Sequence, residues 1–123
     1  MERLRQRADF LAVRGGVKVP SAGFVLQARD RSDKGPPRVG FTVSRKVGNA
    51  VIRNRVRRRL REVVRLSSEG ALQAGHDYVL VGRRAALSAA FSELVADYGR
   101  AIRRIHTVRR KPGSMQVNPG PVS

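Results

Sequence analysis

Apolar residues recur at intervals of three and four in three segments of the chain, a spacing that is typical of amphipathic helices. The first segment runs from Arg7 to Arg14 and ends at a Gly-Gly pair, a frequent helix stop. The second runs from Asn49, a candidate N-cap, to about Leu66. The third runs from Ser88, another candidate N-cap, to about Ile105. The pattern therefore predicts three helices.

Alternation of apolar and polar residues predicts strands between these helices. Ser21 to Arg29 and Arg38 to Arg45 alternate, Asp77 to Val81 is a short apolar run, and Val17 to Val19 fits a further strand. The order α-β-β-β-α-β-α predicts an α/β (α+β) two-layer sandwich with a mixed sheet. A chain of 123 residues has room for one core, so we expect a single domain over residues 1–106. Residues 107–123 are basic and then rich in Pro, Gly and Ser, which predicts a disordered tail.

The chain is strongly basic: 26 Lys and Arg residues oppose 9 Asp and Glu residues, giving a formal net charge of +17. A compact domain with this excess gains from a polyanionic partner. Nucleic acid is the leading candidate, because each phosphate contact releases counterions, and an anionic membrane surface is the alternative. No apolar run approaches the length of a membrane span, and no signal-peptide core precedes the first helix. The absence of cysteine excludes disulfides and thiolate metal sites, so we expect a cytoplasmic protein.

The second predicted helix concentrates this charge. It carries one acid, Glu62, and seven arginines: Arg53, Arg55, Arg57, Arg58, Arg59, Arg61 and Arg65. Like charges four residues apart destabilise a helix by roughly 0.2–0.5 kcal/mol per pair, and a phosphate backbone docked on this face would turn that repulsion into attraction. A merely solvated face normally mixes both signs. A membrane-bound helix is disfavoured by the polar Asn54 and by the lack of large aromatics on the apolar stripe.

One continuous block of the sequence resembles the signature of a known protein family. The block is Thr42-Val-Ser-Arg-Lys-Val-Gly-Asn-Ala-Val-Ile-Arg-Asn-Arg-Val-Arg-Arg-Arg-Leu-Arg-Glu62. It resembles the signature of the bacterial ribonuclease P protein family, which runs from a strand end through a Gly-Asn-Ala-Val step into an Arg-Asn-Arg helix. The Asp9-Phe10 pair and the chain length also agree, and the resemblance extends from about Arg3 to Ile105.

The resemblance implies a fold shared with a domain of a small-subunit ribosomal protein, with a left-handed crossover between parallel strands against the usual rule. It also implies two RNA-binding regions. The positions that match the signature contacting a catalytic RNA are Arg45, Lys46, Arg53, Asn54, Arg55, Arg57, Arg58 and Arg61. A cleft between the first helix and the sheet would hold the single-stranded 5′ leader of precursor tRNA, and the residues expected there are Phe10, Arg14, Gln27 and Arg29.

The cleft residues depart from the family pattern at two places. The family often has a second aromatic just after Phe10, where this chain offers Val13 and Arg14, and it often has a tyrosine in place of Gln27. Arg14 could substitute for the missing aromatic by planar stacking. Phe10 itself could stack on a leader base or anchor the first helix. The residues alone favour the anchoring role, whereas the resemblance gives both roles equal weight.

No residues suggest that the protein itself cleaves RNA. No clustered carboxylates suit two-metal phosphodiester cleavage and no histidine pair suits acid–base cleavage, so we expect no catalytic and no metal-binding residue. We expect His76 and His106 at the surface, and Glu93 and Asp97 in salt bridges with Arg100 and its neighbours.

The resemblance implies instead that the catalytic RNA performs the cleavage and binds most of the Mg²⁺, with no cofactor held tightly by the protein. The expected partners are the catalytic RNA and precursor tRNA, and no membrane. A ribosomal or general structural RNA-binding protein is the alternative function, and the oligomeric state stays open.

Overall fold

The computed structural model describes residues 2–67 and 72–109. Their helices and strands, in chain order, are β1 (Glu2–Arg3), α1 (Arg7–Arg14), β2 (Val17–Pro20), β3 (Phe24–Asp30), β4 (Arg38–Val43), α2 (Ala50–Ser67), β5 (His76–Gly82) and α3 (Phe91–Arg109). Two 3₁₀ turns complete the order: Arg45–Val47 lies between β4 and α2, and Arg84–Leu87 lies between β5 and α3. Every predicted helix and strand is present, and β1 is an additional short strand.

One mixed sheet, in the order β1-β4-β5-β3-β2, forms the centre of the molecule. β4 and β5 are parallel, with Val39 opposite Tyr78, and α2 lies between them in the chain. β3 pairs antiparallel with both β5 and β2. The mixed sheet and the α+β class are therefore confirmed, whereas the handedness of the β4–α2–β5 crossover stays a prediction.

α2 and α3 cover one face of the sheet and enclose the main hydrophobic core. Leu26 of β3 and Leu80 of β5 are fully buried there, together with Leu60 of α2 and Leu94 of α3. The alternation predicted for β3 explains this, because successive strand residues point to opposite faces. The apolar stripe of each long helix faces this side of the sheet.

α1 packs on the opposite face of the sheet. There Val79 of β5 meets Val13 of α1 and Leu4, with Phe10 and Val81 packed against them. A helix of eight residues is too short to cover a sheet of five strands, so part of this face stays open. The predicted sandwich therefore carries the short helix α1 on its second face, with an opening beside that helix.

The start of α3 differs from the prediction. The helix begins at Phe91, and Ser88 does not cap it, because Ser88 closes the preceding 3₁₀ turn instead. At its other end α3 continues past Ile105 to Arg109, so residues 107–109, which we assigned to the tail, are helical. Residues 110–123, the rest of the predicted tail, lie outside the described residues.

The expectation of a surface His76 is wrong. Its side chain lies at the start of β5 with 7% exposure, and its Nδ1 atom is 2.9 Å from the carbonyl oxygen of Ala74. The ring stacks on Tyr78 and meets the ring of His106 edge-on, with 5.5 Å between the two histidine centroids. The Tyr78 hydroxyl is in turn 3.0 Å from Nε2 of His106. This cluster joins the start of β5 to the last turns of α3.

Glu93 and Asp97, the two acidic residues of α3, have different roles. Arg100 donates a hydrogen bond to Asp97, which confirms the expected salt bridge on the helix surface. Glu93 instead accepts a hydrogen bond from the backbone N–H of Ala90, at 3.3 Å, beside the first turn of the helix. Glu93 therefore satisfies a free N–H group at the helix start, which is a structural role.

Candidate nucleic-acid interface

The arginine-rich helix starts at a fixed point. The backbone N–H of Ile52 donates to Oδ1 of Asn49 at 3.0 Å, which confirms Asn49 as the capping residue. Gly48 lets the chain turn tightly there, because a Cβ atom at this position would lie 2.8 Å from the side chain of Ile52. The 3₁₀ turn just before it carries Arg45 and Lys46, both exposed. The cap and the turn thus hold these two cations next to the first turn of α2.

α2 has one buried side and one charged side. The buried residues are those that the periodicity predicted, Val56, Leu60, Val63 and Val64. The exposed polar residues on the other side are Asn54, Arg55, Arg58, Arg61 and Arg65. The helix therefore presents its arginines to solvent while the core holds it against the sheet.

The predicted row of Arg53, Arg57 and Arg61 runs along the border of the exposed face. Arg53 and Arg57 are half-buried, and Arg57 donates to Oδ1 of Asn54 at 2.5 Å. The guanidinium carbon of Arg61 lies 5.9 Å from the ring centroid of Phe41. The buried Nε of Arg53 has no hydrogen-bond partner within the described ranges. Contacts with Asn54 and Phe41 thus hold Arg57 and Arg61 close to the protein surface.

Arg59 differs from its neighbours because it points into the protein. Its Nη1 atom donates to the carbonyl oxygens of Ala86, Leu87 and Ala89, at 2.5, 3.1 and 3.0 Å. These carbonyls belong to the 3₁₀ turn and the connection that lead into α3. Arg59 therefore ties α2 to α3, and its charge is engaged within the fold.

The exposed cations around α2 have little internal compensation. The helix's single acid, Glu62, accepts two hydrogen bonds from Arg65, which lower the pKa of Glu62. The side chains of Arg45, Lys46, Arg55 and Arg58 make no ion pair or hydrogen bond with any other described residue. These four cations form the α2 surface, an array of uncompensated positive charge that suits a polyanion.

A cleft opens where α1 leaves the second face of the sheet uncovered. Its volume is about 490 Å³, and one wall is the face of α1 that carries Arg7, Phe10, Leu11 and Arg14. The floor and far side are formed by Lys18, Gln27, Thr42, Ser44, Val79 and Val81. The cleft thus combines cationic rims with an apolar wall, the mixture that suits a single nucleic-acid strand.

α1 is placed closely on the sheet. A Cβ atom at Gly40 would lie 2.5 Å from the ring of Phe10, and one at Gly16 would lie 1.9 Å from the carbonyl oxygen of Ala28. Val13 is fully buried between these two contacts. The glycines therefore fix the distance of α1 from the sheet and with it the width of the cleft.

Comparison with known proteins assigns the chain to a family. The ribonuclease P family model matches residues 1–106. The chain is 52% identical over 103 residues to the ribonuclease P protein component of Gluconacetobacter diazotrophicus, covering 83% of this chain and 89% of that protein. It is 42% identical over 132 residues to the component from Brucella suis, covering 98% and 93%. The ribonuclease P protein of Thermotoga maritima superposes with a TM-score of 0.70 at 30% identity, covering 85% and 98%. The chain belongs to the ribonuclease P protein family.

Three of the four residues that the sequence predicted for the cleft line it. Phe10 and Arg14 lie on the wall and Gln27 on the floor, whereas Arg29 does not line the cleft. Arg29 lies two residues further along β3, opposite Asp77 of β5. The chain leaving α1 packs Gly16 against the backbone of Ala28 and then enters β2, where Val17 lies opposite Ala28.

Phe10 anchors α1, and its ring also lies in the cleft. It is half-buried and packs against the cluster of Leu4, Val13 and Val79, which anchors α1. The same ring also lines the cleft. Anchoring of α1 by Phe10 is therefore compatible with contact between its ring and a ligand in the cleft.

Several cations near the cleft and the α2 surface were not predicted from the sequence. Arg7 and Lys18 line the cleft, and the available signals were the seven-residue spacing of Arg7 from Arg14 and the alternation along β2. Arg83 and Arg84 follow β5 and are exposed. Arg84 donates to the carbonyl oxygen of Val47 at 2.6 Å, which brings it beside the turn that carries Arg45.

A buried ion cluster stabilises the sheet away from both sites. Asp77 is fully buried and accepts from Nη1 of Arg31 at 2.6 Å and from Nε and Nη2 of Arg38 at 2.8 Å each. Burial alone would raise the pKa of Asp77, but the hydrogen bonds from Arg38 and Arg31 outweigh it and lower the pKa. Arg31 also bonds Asp33, which lowers the pKa of Asp33 to about 2. These two arginines are therefore structural.

The structure adds two findings on metal ions and membranes. Between residues 2 and 67 and between 72 and 109, no three His, Asp or Glu side chains are grouped so that they could hold a metal ion. None of the described helices is long and apolar enough to cross a membrane.

Proposed function

We propose that the chain is the protein subunit of a bacterial ribonuclease P, binding the catalytic RNA and the 5′ leader of precursor tRNA and assisting removal of that leader. The observation that carries the proposal is the α2 surface. Arg55 and Arg58 are exposed on a capped, well-packed helix and have no counterion among the described residues. Such an array gains most from phosphate groups held at fixed positions.

The α2 surface would bind the folded catalytic RNA. Each guanidinium can donate two parallel hydrogen bonds to one phosphate, and each contact releases condensed counterions. The helix and its N-cap fix the spacing of these donors before RNA arrives, so little order has to be gained on binding. Arg45 and Lys46 extend the surface from α2 onto the preceding turn.

The cleft would hold the single-stranded leader. Single-stranded RNA is recognised by stacking of unpaired bases on aromatic rings and by cations along its backbone. Phe10 offers a ring within the cleft, and Arg7, Arg14 and Lys18 offer the cations. Mature tRNA has no leader, so the cleft gives the protein a means of preferring substrate over product.

The cleavage itself would take place on the RNA. Mg²⁺ held mainly by the catalytic RNA would activate the attacking water and stabilise the leaving oxygen. The contribution of the chain is electrostatic: its cations offset the repulsion between two polyanions, the catalytic RNA and precursor tRNA.

A ribosomal or general structural RNA-binding protein is the second candidate. The α2 surface alone would serve such a protein equally well. The cleft favours the first candidate, because a cationic groove beside an aromatic ring suits a single strand that enters and leaves.

Reconstitution tests the proposal directly. The full chain is combined with the catalytic RNA of the same organism, and cleavage of precursor tRNA is followed at limiting Mg²⁺. We expect the protein to raise kcat/KM and to yield a mature 5′ end, and we expect Arg58→Ala to weaken this effect. Arg103→Ala, which removes an exposed arginine from α3, is the matched control. Tight RNA binding without any stimulation of cleavage would favour the second candidate.

A further inference from the structure

α1 forms one wall of the cleft, yet few contacts hold it on the sheet. It has eight residues, and an isolated helix of this length is marginal in water. The N-cap residue Gln6 makes no side-chain capping hydrogen bond, and Val13 is the only residue of α1 that is fully buried. The position of the wall therefore depends strongly on the remaining contacts between α1 and the strands beneath it.

Asp9, the single acid of α1, makes one of these contacts. Its Oδ1 atom lies 3.6 Å from Nη2 of Arg38 on β4, which forms an ion pair between the helix and the sheet. Arg38 is itself held in place, because its Nε and Nη2 atoms donate to the buried carboxylate of Asp77 at 2.8 Å each. Asp9 thus pairs with a cation whose orientation is fixed by the sheet.

Two successive residues of α1 contact the same face of β4. Asp9 pairs with Arg38, and the ring of Phe10 lies so close to Gly40 that an added Cβ atom would be 2.5 Å from it. Arg38 and Gly40 are two positions apart, so they share one face of the strand. Successive helix residues point about 100° apart, so these two contacts together fix the rotation of α1 about its axis.

We propose that Asp9 is a positioning residue: through its ion pair with Arg38 it holds α1 in the rotation that turns Phe10 and Arg14 into the cleft. Phe10 and Arg14 are four residues apart and share one face of the helix. Asp9 itself is not among the described residues that line the cleft. The proposal rests on the proposed function, since it requires that the cleft binds the leader.

Charge alone predicts the opposite effect of removing this acid. A carboxylate beside the cleft repels a bound RNA strand, so Asp9→Asn should tighten RNA binding if Asp9 acted only through its charge. A positioning role predicts weaker binding, because a fraction of the molecules would then hold α1 in a rotation that does not bind the leader. The direction of the effect therefore distinguishes the two roles.

The exposure of the ion pair sets the size of the effect. The side chains of Asp9 and Arg38 are 28% and 27% exposed, and ion pairs of this kind shift an equilibrium by at most about fivefold. The apparent Kd for precursor tRNA rises by the same factor by which the binding-competent fraction falls. We therefore expect Asp9→Asn to weaken precursor tRNA binding about threefold to fivefold, with little change in Tm.

The test measures the dissociation constants of precursor and mature tRNA for holoenzymes reconstituted from the catalytic RNA and the full chain. Asp9→Asn should weaken the binding of precursor tRNA alone. It should leave the affinity of the chain for the catalytic RNA unchanged, because α2 packs on the opposite face of the sheet. Asp9→Glu, which keeps the carboxylate, should restore most of the precursor binding.

A charge swap within α1 is the matched control. The double variant Ala8→Asp/Asp9→Asn keeps the net charge and keeps an acid in the first turn, but it moves that acid about 100° around the helix from the direction of Arg38. Ala8 is exposed, so the new side chain has room in solvent. The double variant should bind precursor tRNA as weakly as Asp9→Asn does.

Four results would overturn the proposal. They are precursor binding by Asp9→Asn that is unchanged or tighter, a loss in Asp9→Glu equal to that in Asp9→Asn, wild-type binding by the double variant, and loss of cooperative thermal unfolding in Asp9→Asn. The last result would make Asp9 a residue of general stability. Equal binding of precursor and mature tRNA by the wild-type holoenzyme would instead contradict the proposed function.

Discussion

Mutation of two adjacent arginines of α2 should affect two different properties, the stability of the protein and its affinity for RNA. Arg59 donates to three backbone carbonyls of the connection into α3, whereas Arg58 is exposed on the α2 surface. We expect Arg59→Ala to reduce the stability of the protein and Arg58→Ala to reduce its affinity for RNA. The pair provides its own control, because both substitutions remove one positive charge from the same helix turn.

The structure sets the size of the stability effect. A hydrogen bond that involves a charged group contributes about 1.5–3 kcal/mol to the free energy of unfolding. One Nη1 atom cannot make three ideal bonds at once, so we expect Arg59→Ala to cost about 2 kcal/mol. For a domain of this size, that loss lowers Tm by about 10 °C. Arg58→Ala should stay within about 0.5 kcal/mol of the wild type, as exposed substitutions usually do.

Two measurements check this prediction. Thermal unfolding gives the stabilities, and titration with the catalytic RNA at several salt concentrations gives the dependence of log Kd on log salt. Removing one phosphate contact lowers the slope of that dependence by about one unit, which we expect for Arg58→Ala alone. An Arg59→Ala protein that is as stable as the wild type, yet shows the reduced salt slope, would show that Arg59 faces the RNA.

Three further predictions follow from individual contacts. Asp77→Asn breaks the buried ion cluster and should cost about 3 kcal/mol in chemical denaturation. Because the folded-state pKa of Asp77 is lowered, the stability that its carboxylate contributes is present above the unfolded pKa of about 3.9 and is lost as the pH falls below it. As the pH falls below about 3.9, the free energy of unfolding of the wild type should therefore decrease, and it should approach that of Asp77→Asn. A difference in unfolding free energy that does not change with pH would contradict this. Tyr98→Phe should leave stability unchanged or raise it, since the buried Tyr98 hydroxyl has no partner in the described ranges and burial raises the pKa of Tyr98. A loss above about 1 kcal/mol in thermal unfolding would show that this hydroxyl is bonded. Phe10→Ala should weaken precursor tRNA binding by the holoenzyme about tenfold and leave mature tRNA unaffected, while Phe10→Leu, which keeps the apolar anchor, separates lost stacking from lost packing. Equal effects on the binding of both tRNAs would show that Phe10 only packs in the core and does not contact the leader.

Local patterns in the sequence predicted the elements and the charged helix well. Asn49 caps α2 as expected, because capping depends on residues only three positions apart. The buried stripe of Val56, Leu60, Val63 and Val64 also follows from helical spacing alone. Alternation along β3 placed Gln27 on the face opposite the main core, where the cleft lies.

Contacts between distant segments were not predictable in this way. Arg58 and Arg59 are the same residue type and adjacent in the sequence. Arg59 has a structural role because it contacts the backbone of residues 86–89. His76 is buried because α3 brings His106 against it. In each case the deciding partner lies many residues away along the chain.

We propose that the cleft beside α1 allows the holoenzyme to bind the leader of precursor tRNA. The most direct test measures the dissociation constants of precursor and mature tRNA, for the catalytic RNA alone and for the RNA with the full chain bound. We predict that the protein tightens binding of precursor tRNA and leaves mature tRNA nearly unchanged, so the ratio of the two constants rises. A ratio that the protein leaves unaltered would contradict the account.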